Sequence, residues 1–264
     1  MNRIESKFRE LHERKEKGFI AYIGAGDPNL KVTEQLALAF EKVGVDILEL
    51  GVPFSDPVAD GIVNQLSAQR GLASGTTPAS VIKTVSEIRK HSQIPIVLYI
   101  YLNLALRYGL EKFITDSAQA GIDGILMLDL PPEESAEYDQ LMSKVGLCPI
   151  YLIAPTTTDN RISLITKKAK GFIYYISREG VTGMQKSLPE SLPNMVAKIR
   201  RYTSLPIAVG FGISNPDQAK LVARIADAVV VGSAIVNQIS KTLNQQDLPA
   251  KVADYVEGLV KAVK

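Results

Sequence analysis

The segment LELGVPFSDPVADG, from Leu48 to Gly61, holds the residues best suited to chemistry. Glu49 interrupts an apolar run. Two-residue alternation puts Ile47, Glu49 and Gly51 on one face of a strand and Leu48 and Leu50 on the other. If the leucines face covering helices, the carboxyl points into a closed interior. Lost hydration then raises its pKa, which suits a general acid and base. A salt-bridged glutamate at a strand end is the plainer alternative. Asp60 and Asp56 follow in a loop stiffened by Pro53 and Pro57. Each is either a reacting carboxylate or a turn residue bonded to its own backbone.

Two later segments end in small residues, Val209-Gly210-Phe211-Gly212-Ile213-Ser214 and Val231-Gly232-Ser233-Ala234. Glycines there let backbone N–H groups approach an anion, and neither segment carries lysine or arginine. A side chain at Gly212 is expected to block that approach with little effect on the fold. The missing third glycine excludes a dinucleotide fingerprint. SREGVTG, from Ser177 to Gly183, is small and polar, as a water-excluding lid or an ordinary surface loop would be. Tyr174 and Tyr175 are neighbours, so only one can face inward. His12 and His91 sit among charged or polar helical residues and read as solvated. No His/Cys/Asp cluster has metal-ligand spacing.

The elements that must position these residues recur about every thirty positions. Apolar runs begin at Phe19, Asp46, Ile94, Ile122, Cys148, Gly171, Leu205 and Ala226. They show little polar alternation, which predicts strands buried on both faces of a parallel sheet. Helical patterns lie between them. Thr77-Pro78 opens one with a stripe of Val81, Ile82, Val85 and Ile88. Gly121 and Gly146 close two others. An N-terminal amphipathic helix presents Ile4, Phe8 and Leu11. Eight β/α alternations with no linker predict a single (β/α)8 barrel over residues 1–264, with an open doubly wound sheet as the alternative. In such a barrel the site lies at the C-terminal ends of the strands.

At 264 residues the chain is close to the ~250 of one such barrel. Its 46% hydrophobic residues support a globular core, and a net charge of +2 gives no footprint for nucleic acid. No apolar run approaches the ~18 residues of a membrane span. The charged N-terminus reads as neither a secretory signal nor a transit peptide, so a cytoplasmic protein is expected. Cys148, the single cysteine, excludes an internal disulfide and reads as a buried structural thiol.

LELGVPFSDPVADG resembles the signature of tryptophan synthase α subunits. The similarity continues through FIAYIGAGDP, DLPPEES, APTTTD, ISREGVTG, VGFGIS and VGSAIV, in order, over nearly the whole chain. The resemblance implies a TIM barrel that splits indole-3-glycerol phosphate into indole and glyceraldehyde 3-phosphate. It assigns the catalytic acid/base to Glu49 and a second catalytic carboxylate to Asp60. Tyr174 would help place the glutamate and substrate, and Tyr22 would line the indole pocket with Phe211 at its floor. Gly183, Gly212, Gly232 and Ser233 match phosphate-binding positions, and Thr182 matches the closing loop. Asp56 and Pro57 would face a β subunit in an αββα heterotetramer. No cofactor is implied for this chain; pyridoxal phosphate belongs to the β subunit. The sequence departs from the family's usual pattern at Ile62-Val63-Asn64, beside Asp60. Two further readings are a weakly catalytic or non-catalytic regulatory subunit that activates β, and a free-standing indole-releasing lyase. A ribulose-phosphate epimerase or an indole-3-glycerol phosphate synthase is a more distant alternative.

Overall fold

Apolar runs without polar alternation need cover on both faces, and a parallel sheet wrapped in helices supplies it. In the computed structural model, which describes residues 2–177, 191–210 and 212–264, each of the eight runs contains one strand. These are β1 (Gly18–Gly24), β2 (Ile47–Gly51), β3 (Ile96–Ile100), β4 (Gly124–Met127), β5 (Cys148–Ile153), β6 (Ile173–Ile176), β7 (Ile207–Gly210) and β8 (Ala228–Val231). All pair in parallel and in chain order, and β8 returns to β1, so the sheet closes into a barrel. The open doubly wound alternative is excluded. The described helices are α1 (Arg3–Arg14), α2 (Leu30–Lys42), α3 (Ile62–Ala73), α4 (Pro78–Arg89), α5 (Leu102–Tyr108) and α6 (Leu110–Gln119). They continue with α7 (Ala136–Val145), α8 (Asp159–Lys168), α9 (Leu192–Arg200), α10 (Pro216–Ala223), α11 (Ser233–Thr242) and α12 (Leu248–Val263).

Local chemistry explains the ends of these elements. Thr77 and Ser80 form a reciprocal capping box at the start of α4, with Pro78 in its first turn. Gly121 and Gly146 adopt left-handed backbone after α6 and α7, where a Cβ would be strained.

The barrel divides apolar side chains between two cores. Leu48, Leu50, Ile23, Ile125 and Tyr175 pack outward against the helices. Ile20, Ile47, Val97, Leu126, Ile150 and Val230 fill the interior. Ile4, Phe8 and Leu11 of α1 join the inner set, so this amphipathic helix plugs the barrel and does not join the outer ring. A Cβ at Gly18 or Gly124, the first residues of β1 and β4, would lie 3.3 Å from Leu11 or 3.0 Å from Ile4. The plug therefore covers the N-terminal mouth and leaves the other mouth for a site. Cys148 is buried in this inner core, and burial pushes its thiol up to about 12, which keeps it unreactive.

Three aspartates stitch the same mouth. Asp46, Asp123 and Asp227 each stand one residue ahead of an even-numbered strand. Each accepts the N–H of a residue in the preceding odd-numbered strand, at 2.8 Å from Phe19, 2.8 Å from Ile96 and 2.9 Å from Ile207. Their own N–H groups donate back to the carbonyls of those same residues. A cation offsets each charge: Lys264 on Asp46, Arg3 and Arg89 on Asp123, and Arg200 on Asp227.

Removing a buried charge's partner costs roughly 3–5 kcal/mol, whereas an exposed pair is worth little. Asp123 is nearly inaccessible, at 3% side-chain exposure against 27% for Asp227. Asp123→Ala should therefore lower the urea midpoint of unfolding well beyond Asp227→Ala. Equal midpoints for the two variants would contradict this account.

Candidate active site

The open mouth is built from strands β1, β2, β3 and β6 and the loop after β2. Glu49 lies in register between Tyr22 on β1 and Val97 on β3. Its outward neighbours Leu48 and Leu50 are locked in the helix-facing core, so the carboxyl must point inward. It is 1% exposed, and neither oxygen has a hydrogen-bond partner among the described residues. The salt-bridged alternative is thus ruled out among those residues. Burial, reinforced by the nearby charge of Asp60, raises its pKa to about 8. Glu49 is therefore protonated at neutral pH and poised to donate.

Asp60 is buried too, but it is held differently. The Tyr99 hydroxyl donates to Oδ1 at 2.9 Å and the Tyr101 hydroxyl to Oδ2 at 2.8 Å. Asn64 approaches Oδ1 at 3.5 Å, and Gln65 donates to the Asp60 carbonyl at 2.8 Å. Burial raises the carboxyl above its usual value, and the Tyr101, Tyr99 and Asn64 hydrogen bonds pull it back. Tyr101 also accepts the Ala59 N–H at 3.0 Å, which pins the loop backbone. Two similar carboxyls thus sit in opposed surroundings, one without donors and one with several.

The loop owes its position to α3. That helix starts at Ile62, with Gly61 giving no side-chain cap, and Asn64 and Gln65 in its first turn reach back to Asp60. Farther along, Arg70 grips the fully buried Asp27 with two bonds of 2.6 and 2.7 Å, and Ser67 adds a third at 2.6 Å. Asp27 follows β1, so α3 is bolted to the strand that carries Tyr22. Within the unusual stretch at 62–64, Asn64 itself turns back toward Asp60.

Close approach dictates two glycines. A Cβ at Gly51 would lie 2.3 Å from the Tyr22 hydroxyl, and one at Gly210 would lie 2.8 Å from that of Tyr174. Tyr174 packs with the inner core, whereas Tyr175 is buried against the helices, which is the orientation two-residue alternation requires. Tyr22 also stacks edge-on against Tyr99, with ring centroids 5.1 Å apart.

Gly232 caps the N-terminus of α11, where Ser233 is the first helical residue. The Tyr22 ring lies against it, since a Cβ at Gly232 would be 3.3 Å from Tyr22 Cδ1. An anion held by those N–H groups would therefore adjoin the tyrosine-lined pocket. Gly212 has a φ of 50°, in the left-handed region. Valine there would strain the backbone, which corrects the expectation that such a change leaves the fold little affected. Thr182, Gly183, Phe211 and all of SREGVTG beyond Ser177 lie outside the described residues. Asp56 is exposed and Pro57 half-buried, so Asp56 is not gathered into the buried site. His12 and His91 are exposed. Among the described residues, no His/Cys/Asp/Glu group could hold a metal.

Sequence reasoning missed Tyr99, Tyr101 and Asn64. One signal was present: in IVLYIY the two tyrosines share parity and hence a face.

The family model described as "Tryptophan synthase alpha chain" matches residues 8–264. A tryptophan synthase alpha chain from Opitutus terrae is 48% identical over 265 residues, covering 100% of both chains. The crystal structure of tryptophan synthase subunit alpha from Legionella pneumophila superimposes with a TM-score of 0.90 at 36% identity, covering 100% of this chain and 98% of that one. A chain of Mycobacterium tuberculosis tryptophan synthase gives 0.91 at 28% identity, covering 99% and 98%.

Burial of Glu49 also makes stability depend on pH. Unfolded, the carboxyl ionises around its ordinary 4.5; folded, it does so only at about 8. Between those values the unfolded chain releases a proton that the folded chain keeps, so stability falls as pH rises. Glu49→Gln removes this term. The variant should gain thermal stability over wild type on going from pH 5 to pH 8, and a constant difference in Tm would refute the raised value.

Proposed function

The chain belongs to the tryptophan synthase α chain family, and from that premise we propose that it cleaves indole-3-glycerol phosphate to indole and glyceraldehyde 3-phosphate. One observation carries the proposal: Glu49, without a hydrogen-bond partner among the described residues and with its pKa raised to about 8, lies near an Asp60 held by tyrosine hydroxyls. Indole is a poor leaving carbanion. Glu49 would first protonate ring C3, and Asp60 would stabilise the positive charge that develops at the ring N–H. The resulting indolenine accepts electrons. Glu49, now a carboxylate, would take the proton of the C3′ hydroxyl. The C3′ carbonyl forms, the C–C bond breaks, and its electron pair returns to the ring. A residue that acts as acid and then base needs a pKa near working pH, and about 8 meets that need. This chain supplies that chemistry without a cofactor of its own.

The substrate's aromatic end would lie against Tyr22 and Tyr174, and its phosphate at Gly212, Gly232 and Ser233. The roles proposed for Thr182, Gly183 and Phe211 rest on the family resemblance alone. We also propose a β-subunit partner, carrying pyridoxal phosphate, in an αββα assembly. Around the exposed loop of Asp56 and Pro57, Val58 is 80% and Ile62 66% exposed, with Leu66 beyond them. Grouped apolar exposure of this kind marks a docking face. That face argues against a free-standing lyase, and the disposition of Glu49 and Asp60 argues against a purely regulatory subunit. No described helix is long and apolar enough to cross a membrane. With a biosynthetic family, this supports a place in the cytoplasm.

Glu49→Gln should cut indole release by at least ~10²-fold while leaving substrate binding largely intact. Near-normal turnover would remove Glu49 from the acid role. For wild type, kcat/KM should fall above a pH of about 8 as Glu49 loses its proton. Val58→Asp should raise the β-subunit concentration needed for half-maximal stimulation by at least ~10-fold, equal to ~1.4 kcal/mol. An unchanged requirement would place the partner elsewhere.

A further inference from the structure

The Asp60 carboxylate receives one phenolic hydroxyl on each oxygen, and the two come from Tyr99 and Tyr101, two positions apart in sequence. Tyr101 is half accounted for by the loop, because its oxygen also accepts the Ala59 N–H. Tyr99 has no such structural duty. It projects from β3 opposite Gly51, whose missing side chain makes room for the Tyr22 side chain. Its ring packs edge-on against Tyr22, inside the barrel mouth. Its hydroxyl donates to Oδ1 of the buried Asp60 at 2.9 Å.

We propose that Tyr99 is a positioning residue for Asp60: its hydroxyl and that of Tyr101 fix the plane of the carboxylate against the tyrosine-lined pocket. The proposal rests on the cleavage reaction for its catalytic consequence, but not for its geometry. A carboxylate has about four lone-pair sites. Two hydroxyls occupy one site on each oxygen and leave others for a substrate N–H. Donation to both oxygens favours the ionised form and removes rotation about the terminal bond. The carboxylate then need not reorganise when charge develops on the ring.

Tyr99→Phe keeps the ring and its packing against Tyr22 and deletes only the donor. The titration of Asp60, followed by carboxyl carbon NMR on the whole chain, should move up by roughly one pH unit, since donors favour the charged form. The acid limb of the pH–rate profile, where Asp60 must be ionised, should move up with it. We expect kcat to fall ~10-fold with KM within about two-fold, because the lost bond matters most where charge develops. Tyr99→His, which keeps a ring with an N–H donor, should return the limb part of the way. Tyr101→Phe is the companion variant and should move the same limb in the same direction. Packing alone would move KM and thermal stability but not the Asp60 titration. An unmoved titration and limb in Tyr99→Phe would overturn the proposal. If the Asp60 titration moves but the wild-type chain releases no indole, the positioning role stands and the cleavage reading falls.

Discussion

Glu49 is a buried carboxyl with no donor on either oxygen among the described residues. Ionising it there is costly, and a flexible frame would relieve the cost by admitting water or swinging the side chain out. The barrel prevents both. β2 is paired on each side, and its alternate residues Leu48 and Leu50 are locked among the helices, so Glu49 cannot rotate outward without uprooting two leucines. The raised pKa follows first from this enclosure, and the charge of Asp60 adds to it. It also explains the contrast with Asp60: a second carboxyl placed nearby must be supplied with donors if it is to stay ionised, and Tyr99 and Tyr101 supply them.

The two mouths of the barrel divide stability from chemistry. At the N-terminal mouth, three aspartates close reciprocal pairs with the preceding strand, each with a cation at hand, and α1 fills the opening with apolar side chains. Polar groups there are paired. Among the described residues, the other mouth holds three of the four buried polar side-chain atoms without a partner, both oxygens of Glu49 and Oδ1 of Asn64; the fourth, Ser117 Oγ, lies on α6. Buried polar groups without partners weaken a fold. That weakness is tolerable because strand order and register are fixed elsewhere. This division of labour matches the conservative end and the functional end expected of such barrels.

The strands were legible because burial on both faces suppresses polar alternation, and Glu49 stood out as the exception in such a run. The same alternation settled Tyr174 against Tyr175 once the barrel closed. Other features were hidden for a physical reason. Asp60 and its donors are separated by 39 and 41 positions, and nothing local ties a loop aspartate to one tyrosine on the next strand and another just past its end. Asp46, Asp123 and Asp227 sit at strand starts, where an aspartate reads as a turn residue; their partners become visible only when neighbouring strands are in register. The N-terminal helix was legible as amphipathic, but not as a plug, because its stripe would suit the outer ring equally well. For Gly212 the local pattern suggested close approach to an anion and gave no sign of the left-handed backbone.

Helix α3 joins these elements. Its inner face carries Asn64, Ser67 and Gly71, all buried. Asn64 approaches Asp60, Ser67 reaches Asp27, and a Cβ at Gly71 would lie 2.8 Å from the Ala25 carbonyl. Its outer face carries Ile62 and Leu66, both exposed. Residues at i and i+4 share a helix face, so the outer pair forms one short apolar ridge directly behind the residues that hold Asp60. Arg70 fastens the far end of the helix to Asp27, just after β1. At the first turn Gly61 offers no side-chain cap, and Gln65 and the long Asn64 contact tether the turn to Asp60. The residues at 62–64 therefore lie between that exposed ridge and Asp60, whose carboxylate keeps its donors.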